Sequence, residues 1–423
     1  MRICFVSRRF FPAISGMSVY ALNLLKELVA RGHDVTMVSQ YRDDEAGAAV
    51  YGGGPPPPVP GVRVIGLPSL GEQCVADGQP ADFERDIETM VTAIEDAHAE
   101  RPFDLIHAQY GYPTGLAALE AARRLGLPNV VSIQGGDGHW VGSCCRTHKL
   151  AMQAVLDHAN ELLIGSRSFA DEVCENNGTD PDRFTIVPGA TDITRFKPQD
   201  GKRPGDLSDV PTLLYHGRVD LRKGLGELLG ALPSVAERVP SLKVVISGIG
   251  PDVDHVRERV DAEGLGELVE MTGYASYDDA PGVYRRGDVF VSPTYSEGFS
   301  NTILEAMASG LPVVSTDTVG VVDCLTHEEN GLLVPLRDSA SLADAIVRLL
   351  GDATLRRRLA EMALQQVHDR WSWGPVATLI EQAYDRAIGG SLDASWVRLY
   401  DPADVSVTTA DLSCRFREAP HLL

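Results

Sequence analysis

Residues 212–248 read TLLYHGRVDLRKGLGELLGALPSVAERVPSLKVVISG, and this stretch decides the fold class. It begins and ends with short apolar runs typical of buried strands, TLLYHG (212–217) and LKVVISG (242–248). Between them, residues 224–239 carry apolar side chains at helical spacing. A strand, a helix and a second strand in immediate succession predict a βαβ unit, whose two strands lie parallel in one sheet.

The same alternation continues to the end of the second half. Further predicted strands are ELVEMTG (267–273), DVFVSP (288–293), LPVVST (311–316) and GLLVP (331–335), and predicted helices cover 339–350 and 353–369. Because each strand is separated from the next by helical or loop sequence, the strands are expected to be parallel.

The first half repeats this pattern. Its predicted strands are RICFVS (2–7), VTMVS (35–39), VRVIGL (62–67), DLIHAQ (104–109), NVVSI (129–133), ELLIGS (161–166) and RFTIVP (183–188), with helices over 17–31, 82–99 and 114–125. The chain is therefore predicted to be an α/β protein with two Rossmann-like, doubly wound parallel-sheet domains. In such a fold we expect a central ligand cleft at the carboxyl ends of the strands.

A polar, Gly/Pro-rich stretch marks the predicted boundary between the domains. The predicted organisation is an N-terminal domain, a linker, a C-terminal domain, a helix that can cross back to the N-terminal domain, and a tail: residues 1–196, 197–211, 212–372, 373–390 and 391–423. The low-complexity segment AGAAVYGGGPPPPVPG (46–61) is interpreted as a loop, because its prolines favour polyproline II and its glycines favour turns.

Composition excludes some classes of partner. Of 423 residues, 59 are acidic and 38 basic, which gives a formal net charge of −21 at pH 7. Such a surface repels nucleic acid on average. Only six of the basic residues are lysine; an acidic, lysine-poor chain fits a high-salt cytoplasm or an arginine-favouring genome equally well.

The expected compartment is the cytoplasm, with at most peripheral contact at the cytoplasmic membrane face. No apolar run approaches the roughly 20 residues that span a bilayer, and the opening MRICFVSRRFFP is too short in apolar residues for a signal peptide. Seven cysteines, an odd number without a CxxC pair, fit a reducing environment.

The stretch SEGFSNTILEAMASGLPVV (296–314) predicts a binding site at the start of a helix. Ser300 and Asn301 are favourable capping residues, so the helix is expected to begin there. Its first free amides, of residues 299–302, would form an anion site suited to phosphate. Glu297 precedes this site, and Glu305 lies one turn inside the helix on the face of Asn301.

Two further loops are expected to reach the same edge of the sheet. HGRVDLRKG places Arg218 and Lys223 after the first strand of the second half, where a diphosphate would need cations. SGIGP (247–251) brings Gly248 and Gly250 after the next strand, where a backbone without side chains can approach a ligand closely.

These motifs resemble the retaining GT-B glycosyltransferases of family 4 (glycosyl transferases group 1), whose hallmark is a glutamate, seven residues and a second glutamate. EGFSNTILEAMASGLPVVST carries this motif in Glu297 and Glu305, and GRVDLRKGL, GIGP, GYASYDDAPGVYRRGDVFVSPTYSEGF, ENGLLVP and WSWGPVATLIEQAY match further landmarks over 210–388. FFPAISGMSVYALNLLKELVARGHDVTMVS, DLIHAQYGYPTG, SIQGGD and VPGATDITRF carry a thinner likeness through the first half.

The resemblance implies transfer of a sugar from a nucleoside-diphosphate donor to an acceptor hydroxyl. It implies that Arg218 and Lys223 hold the donor diphosphate, that Glu297 contacts the transferred sugar and that Glu305 holds the ribose hydroxyls. The other implied donor contacts are the amide-bearing segment Gly298, Phe299, Ser300, Asn301 and Thr302, the glycines Gly16 and Gly248, and Tyr274 beside the base.

The chain departs from the family pattern at two positions where histidine is common. Gln134 follows the strand NVVSI, and Gln109 ends the strand DLIHAQ. Glutamine exchanges hydrogen bonds but cannot shuttle a proton near neutral pH. The family's frequent Gly-Gly in the first loop is here Ser15-Gly16, and His107 and His139 remain as neighbouring imidazoles.

The predicted reaction therefore needs no histidine base. Glu297, Arg218, Lys223 and Gln134 form the predicted catalytic group, with attack on the side of the leaving diphosphate, retention at the anomeric carbon, and neither metal nor cofactor. A nucleotide-sugar epimerase, a sugar-phosphate phosphorylase and a non-catalytic nucleotide-sugar-binding relative remain alternatives. The acceptor stays open between a glycan, a small molecule and a lipid-linked sugar; basic pairs such as Arg8-Arg9 and Arg123-Arg124 suit an anionic headgroup or plain solvated surface.

Overall fold

The structure is a computed structural model that describes residues 1–13, 15–42, 53–69, 83–139, 141, 146–393 and 396. The chain forms two compact units. Unit 1 contains Met1–Pro188 and the chain from Ala377 onward, and unit 2 contains Gly189–Val376. Each unit has its own parallel sheet, so the predicted α/β class with two doubly wound sheets is confirmed.

Unit 1 is built on a seven-stranded parallel sheet with the order β3-β2-β1-β4-β5-β6-β7. Its strands are β1 Arg2–Ser7, β2 Asp34–Tyr41, β3 Val62–Pro68, β4 Leu105–Gln109, β5 Asn129–Ile133, β6 Glu161–Ile164 and β7 Phe184–Ile186. Strand order reverses between β1 and β4, which is the switch point where doubly wound sheets place their ligands.

The helices of unit 1 begin and end where local sequence signals favour it. They are α1 Gly16–Ala30, α2 Phe83–Glu100, α3 Leu116–Leu125, α4 Gly136–His139, α5 Arg146–His158 and α6 Arg167–Asn177. The hydroxyl of Ser15 caps α1 by accepting a hydrogen bond from the Ser18 amide. A π-turn over Gly111–Gly115 precedes α3, which ends at the left-handed Gly126.

Unit 2 is built on a six-stranded parallel sheet with the order β10-β9-β8-β11-β12-β13. Its strands are β8 Thr212–His216, β9 Lys243–Ser247, β10 Val269–Gly273, β11 Val289–Ser292, β12 Val313–Thr316 and β13 Leu332–Val334, and its helices are α7 Leu225–Arg238, α8 Val253–Ala262, α9 Ala280–Tyr284, α10 Asn301–Ala308, α11 Ser339–Gly351 and α12 Ala353–Arg370. Successive strand residues pack into clusters on opposite faces: Leu213 on one, Leu214 on the other. Both faces are buried, as expected for a parallel sheet.

The last helix, α13 Trp373–Gly389, contributes its residues from Ala377 onward to unit 1. The Tyr384 hydroxyl lies 2.7 Å from Nδ1 of buried His107, and Glu381 lies 2.7 Å from Arg31 and 2.8 Å from His33. These contacts attach the helix to β4 and to the end of α1.

The segment before β8 packs within unit 2 rather than linking the units. Phe196, assigned from sequence to the first domain, is 2% exposed in the unit 2 core. The predicted linker over 197–211 is likewise held: the Gly205 amide donates to the Gly310 carbonyl at 3.0 Å, and the Arg356 guanidinium donates to the Gly205 carbonyl at 2.7 Å. Its polar composition thus reflects hydrogen bonding to unit 2.

Two sequence predictions fall on segments that the structure leaves out. The first part of the predicted loop over 46–61, up to residue 52, and most of the predicted tail over 391–423 lie outside the described residues. Among the described residues, none of the helices combines the length and apolarity that crossing a membrane requires.

Candidate functional site

Three loops of unit 2 leave the same edge of the sheet. They follow β8, β9 and β11, and these strands are adjacent in the order β9-β8-β11. Because all three strands are parallel, their carboxyl ends share one edge. The structure thus brings the loops of Arg218, Lys223, Gly248 and Glu297 to one edge of unit 2, as the sequence predicts.

The first two loops interlock through their backbones. A Cβ on Gly248 would lie 1.7 Å from the Gly217 carbonyl oxygen, and its φ of +144° is a conformation that other residues rarely adopt. The Val219 amide donates to the Ile249 carbonyl at 2.9 Å. The close approach that the sequence assigns to a ligand is therefore made to the neighbouring loop; contact of Gly248 with a donor stays a prediction.

The first and third loops are joined in the same way. A Cβ on Gly224 would lie 1.8 Å from the Pro293 carbonyl oxygen, and the Tyr295 amide donates to the Arg222 carbonyl at 3.0 Å. These contacts place the Lys223 ammonium 2.7 Å from Oε1 of Glu297. The Glu297 amide in turn donates to the Val319 carbonyl at 3.0 Å, which ties the pair to the loop after β12.

Arg218 shares an acidic neighbour with Arg222. Its Nε lies 3.6 Å from Oδ2 of Asp220, and the Arg222 guanidinium lies 2.6 Å from the same oxygen. Burial acts to raise the pKa of Asp220, but hydrogen bonds from Arg222 and the charges of both arginines lower it to about 2. Asp220 is thus ionised at physiological pH and holds two guanidinium groups at the sheet edge.

Helix α10 begins at the predicted position, with Ser300 as its capping residue. The Ser300 side chain makes no capping hydrogen bond to the helix amides. This leaves the first turn suited to an external anion, because the first amides of a helix have no intrahelical acceptor. The Phe299 side chain packs on Trp371, with ring centroids 6.2 Å apart.

Glu305 lies within α10, partly buried beside Tyr284. The Tyr284 hydroxyl donates to Oε2 of Glu305 at 2.7 Å and lies 3.2 Å from the Thr302 carbonyl oxygen. Burial raises the pKa of Glu305 to about 7, although the Tyr284 hydrogen bond and the Arg195 charge act to lower it. The carboxyl group is therefore poised between its two forms near neutral pH.

Tyr284 and Arg195 are the residues around Glu305 that the sequence prediction missed. The Tyr284 ring is fully buried, 5.3 Å from the His216 ring and 5.5 Å from the Phe196 ring. Burial lowers the pKa of His216 to about 4, so this imidazole is neutral at physiological pH. Tyr284 lies inside the motif GYASYDDAPGVYRRGDVF, but its spacing there is equally typical of a core residue.

Tyr274 follows β10 with 46% of its surface exposed. The Gly248 amide donates to the Gly273 carbonyl at 2.8 Å, which places the backbone of Tyr274 next to the loop after β9. Gly16 and Gln134 belong instead to unit 1. Gly16 is the first residue of α1, and its missing side chain faces open space; Gln134 follows β5, with its Oε1 buried and without a hydrogen-bond partner among the described residues.

Gln109, at one of the two positions where the family pattern has histidine, and the nearby His107 both make hydrogen bonds within unit 1. Gln109 is buried, its amide nitrogen donating to the Met17 carbonyl at 3.0 Å and its amide oxygen accepting from Ser7 at 2.9 Å. It thereby fixes the start of α1 to the sheet. His107 is held between Tyr384 and Ser132, and burial lowers its pKa to about 3, so it serves the fold.

The raised pKa of Glu305 predicts a pH-dependent cost to stability. An ordinary glutamate titrates near 4.5, so the protonated form stabilises the fold fully below that pH, and this contribution is lost as pH rises through about 7. Glu305→Gln keeps the shape without the charge. We expect denaturant titration to show the variant more stable than wild type by about 1–3 kcal/mol near pH 8, with a smaller difference near pH 5.

Glu361→Gln is the matched control, because Glu361 is exposed on α12 and its carboxylate stays in water. It should change stability little at either pH. Equal stability of Glu305→Gln and wild type across this pH range would contradict the assigned environment of Glu305.

Comparison with known proteins agrees with this architecture. Residues 15–190 match the model described as glycosyl transferase 4-like domain, and residues 210–352 match glycosyl transferases group 1. D-inositol 3-phosphate glycosyltransferase of Arthrobacter sp. (strain FB24) is 26% identical, over 90% of this chain and 92% of its own.

Two solved structures share the fold. Sucrose-phosphate synthase of Thermosynechococcus elongatus superposes with a TM-score of 0.73 at 24% identity, covering 92% of this chain and 100% of that one. HepE of Anabaena, solved with UDP and glucose, has a TM-score of 0.71 at 16% identity, covering 90% and 99%. With both halves matched by family models and the GT-B fold in place, the chain belongs to the glycosyl transferases group 1, family 4 of the GT-B glycosyltransferases.

Proposed function

We propose that this glycosyltransferase moves a sugar from a nucleoside-diphosphate donor to an acceptor hydroxyl with retention at the anomeric carbon and without a metal ion. The observation that carries the proposal is the Lys223–Glu297 pair, 2.7 Å apart, at the sheet edge shared with Arg218 and the start of α10. A cation, a carboxylate and the start of a helix at one edge match a sugar diphosphate, whose phosphates and hydroxyls need such partners.

The donor diphosphate would be held by Arg218, Lys223 and the amides of Phe299, Ser300, Asn301 and Thr302. Because Lys223 already contacts Glu297, a phosphate bound to Lys223 would bring the attached sugar to Glu297. Glu305, with one oxygen engaged by Tyr284, would offer its other oxygen to the ribose hydroxyls. Tyr274, Gly248 and Gly298 complete the donor contacts proposed within unit 2.

Uridine is the base we propose, since HepE was solved with UDP. The choice of uracil rests on that relative. The exposed ring of Tyr274 supports a stacked base of either size.

In the proposed step, the acceptor oxygen attacks the anomeric carbon on the face from which the diphosphate leaves. The bond from that carbon to the diphosphate oxygen breaks, the bond to the acceptor oxygen forms, and the acceptor proton passes to the departing phosphate oxygen. Arg218, Lys223 and the α10 amides stabilise the negative charge that grows on the diphosphate. Gln134 acts only by hydrogen bonding, because an amide cannot take the proton.

The names of the relatives do not identify one acceptor class. One relative is named for D-inositol 3-phosphate, and another is named for a product, sucrose phosphate. We propose an acceptor hydroxyl on a glycan, a lipid-linked sugar or a small molecule, and the cytoplasm as the compartment.

Lys223 provides the first test of this function. We expect Lys223→Gln to lower kcat/KM for the donor by roughly 100- to 1,000-fold, because one preorganised contact to the developing charge is lost. The assay follows release of the nucleoside diphosphate from a panel of nucleotide sugars. Lys243→Gln, on the exposed side of β9, removes the same charge elsewhere in unit 2 and should leave the rate unchanged.

Two results would overturn the donor site. One is equal turnover by Lys223→Gln and Lys243→Gln; the other is failure of every nucleoside diphosphate to raise the unfolding temperature of the wild-type protein.

Product analysis tests retention and metal independence. Proton NMR of early product should show the anomeric configuration of the donor, because attack and departure share one face. Excess EDTA should leave the rate unchanged, since the cations are side chains. An inverted anomer, or activity lost to EDTA and restored by Mg²⁺, contradicts the mechanism; sugar conversion without an acceptor would indicate an epimerase, and consumption of inorganic phosphate a phosphorylase.

A further inference from the structure

The Tyr284 hydroxyl lies beside the carboxyl group that the proposed function assigns to the ribose. Tyr284 is the last residue of α9, and its ring is fully buried. Its hydroxyl oxygen is 2.7 Å from Oε2 of Glu305 and 3.2 Å from the Thr302 carbonyl oxygen. A phenol has one proton to donate, and a carboxylate accepts it more strongly than a neutral carbonyl does. The hydroxyl therefore donates its hydrogen bond to Glu305.

Aromatic neighbours hold the Tyr284 ring on several sides. It packs edge-on against Phe196 and His216, with ring centroids 5.5 and 5.3 Å apart, and lies tilted against Phe290 at 5.7 Å. These three residues come from the segment before β8, from the end of β8 and from β11. A buried ring packed in this way keeps one orientation, so the hydroxyl stays in a fixed position.

The contact with Tyr284 sets the orientation of the Glu305 carboxyl group. Tyr284 engages Oε2; the other oxygen, Oε1, has no hydrogen-bond partner among the described residues, and Glu305 keeps part of its surface exposed. The charge of Arg195 acts on Glu305 without a hydrogen bond, because its guanidinium donates to the Tyr277 carbonyl at 2.7 Å and lies 3.3 Å from Asp278. The Tyr284 hydroxyl is thus the group that decides which oxygen of Glu305 stays available.

A fixed carboxylate oxygen can distinguish two kinds of pentose. Ribose presents two neighbouring hydroxyl groups, and one carboxylate oxygen with free lone pairs can accept hydrogen bonds from both. A 2′-deoxyribose lacks one of these donors. A site built to bind a hydroxyl discriminates against the ligand that lacks it, because a partly buried acceptor is then left unpaired. A carboxyl group that is free to turn would adapt to either ligand, whereas a fixed one would not.

We propose that Tyr284 is a positioning residue that makes the donor site select ribonucleotides over 2′-deoxyribonucleotides. By holding Oε2 of Glu305, it directs Oε1 to the ribose hydroxyls. The inference rests on the proposed function, since it takes a nucleoside diphosphate as the ligand of Glu305. It goes further by assigning the choice of pentose to a residue that acts through Glu305 and does not itself contact the nucleotide.

Calorimetric titration with UDP and with 2′-deoxy-UDP at pH 8 measures this specificity as the ratio of the two dissociation constants. Wild type should bind UDP more tightly by roughly 10- to 100-fold, the range for a hydrogen bond to a charged group. Tyr284→Phe keeps the ring and removes only the hydroxyl. We expect this variant to lower the preference for UDP by roughly 5- to 10-fold, mainly by weakening the binding of UDP.

Tyr384→Phe is the matched control. Tyr384 is also fully buried, and its hydroxyl lies 2.7 Å from Nδ1 of His107 in unit 1. Its replacement removes the same chemical group from another core and should leave the preference for UDP unchanged.

The double variant Tyr284→Phe/Glu305→Gln shows whether Tyr284 acts through Glu305. If it does, removing the Tyr284 hydroxyl should change the preference no further once Glu305 has lost its carboxylate. A purely structural role of Tyr284 would instead weaken UDP and 2′-deoxy-UDP alike.

The proposal is overturned by a preference that Tyr284→Phe leaves unchanged, by an equal loss in Tyr384→Phe, or by a further loss in the double variant. If Tyr284→Phe does not fold, wild type and Glu305→Gln still decide: a lower preference in Glu305→Gln supports the proposal, and equal preferences overturn it. When UDP binds wild type and only the preference fails to respond, the donor site of the proposed function stands. When no nucleoside diphosphate binds wild type or any variant, the donor site fails and the inference with it.

Discussion

The candidate donor site of unit 2 depends on two backbone approaches that leave no space for a Cβ atom. At Gly248 the neighbouring carbonyl oxygen belongs to Gly217, and at Gly224 it belongs to Pro293. Each approach joins one loop of the sheet edge to the next, so the loops after β9, β8 and β11 form one continuous backbone layer. The side chains of Arg218, Lys223 and Glu297 extend from this layer. The joined backbones therefore hold their Cα atoms in fixed positions relative to one another.

The cations of this layer have acidic neighbours before any ligand arrives. Lys223 is neutralised by Glu297, and Arg218 and Arg222 share the ionised Asp220. Glu305 is the exception, because burial works against its charge. A site arranged in this way gives up some stability of the free protein to hold groups that a polyhydroxylated, doubly charged ligand would satisfy.

The fold was predictable from sequence because its signal is repeated. Each βαβ unit gives the same alternation of apolar strand and amphipathic helix, and errors at single ends do not change the class. The start of α10 was predictable as well, since Ser300 and Asn301 are local capping signals. The sequence did not indicate that Phe196 and residues 197–211 pack in unit 2. A polar, Pro-rich segment has the composition of a linker even when hydrogen bonds hold it to a domain.

Side-chain partners across the fold were not predictable. Tyr284 meets Glu305 only because α9 and α10 pack together, and nothing in the spacing of 21 residues between them indicates this contact. The partner of Gly248 was not predictable either. A glycine in a loop indicates that another atom approaches closely, but the sequence does not say whether that atom belongs to a ligand or to Gly217.

A crystal structure of the full chain with UDP tests the central claim most directly. The account predicts the diphosphate at the carboxyl edge of the unit 2 sheet, within hydrogen-bond distance of Lys223, Arg218 and the first amides of α10, with the ribose on Glu305. A nucleotide bound elsewhere, or a diphosphate that leaves the Lys223–Glu297 pair and the start of α10 untouched, would contradict it.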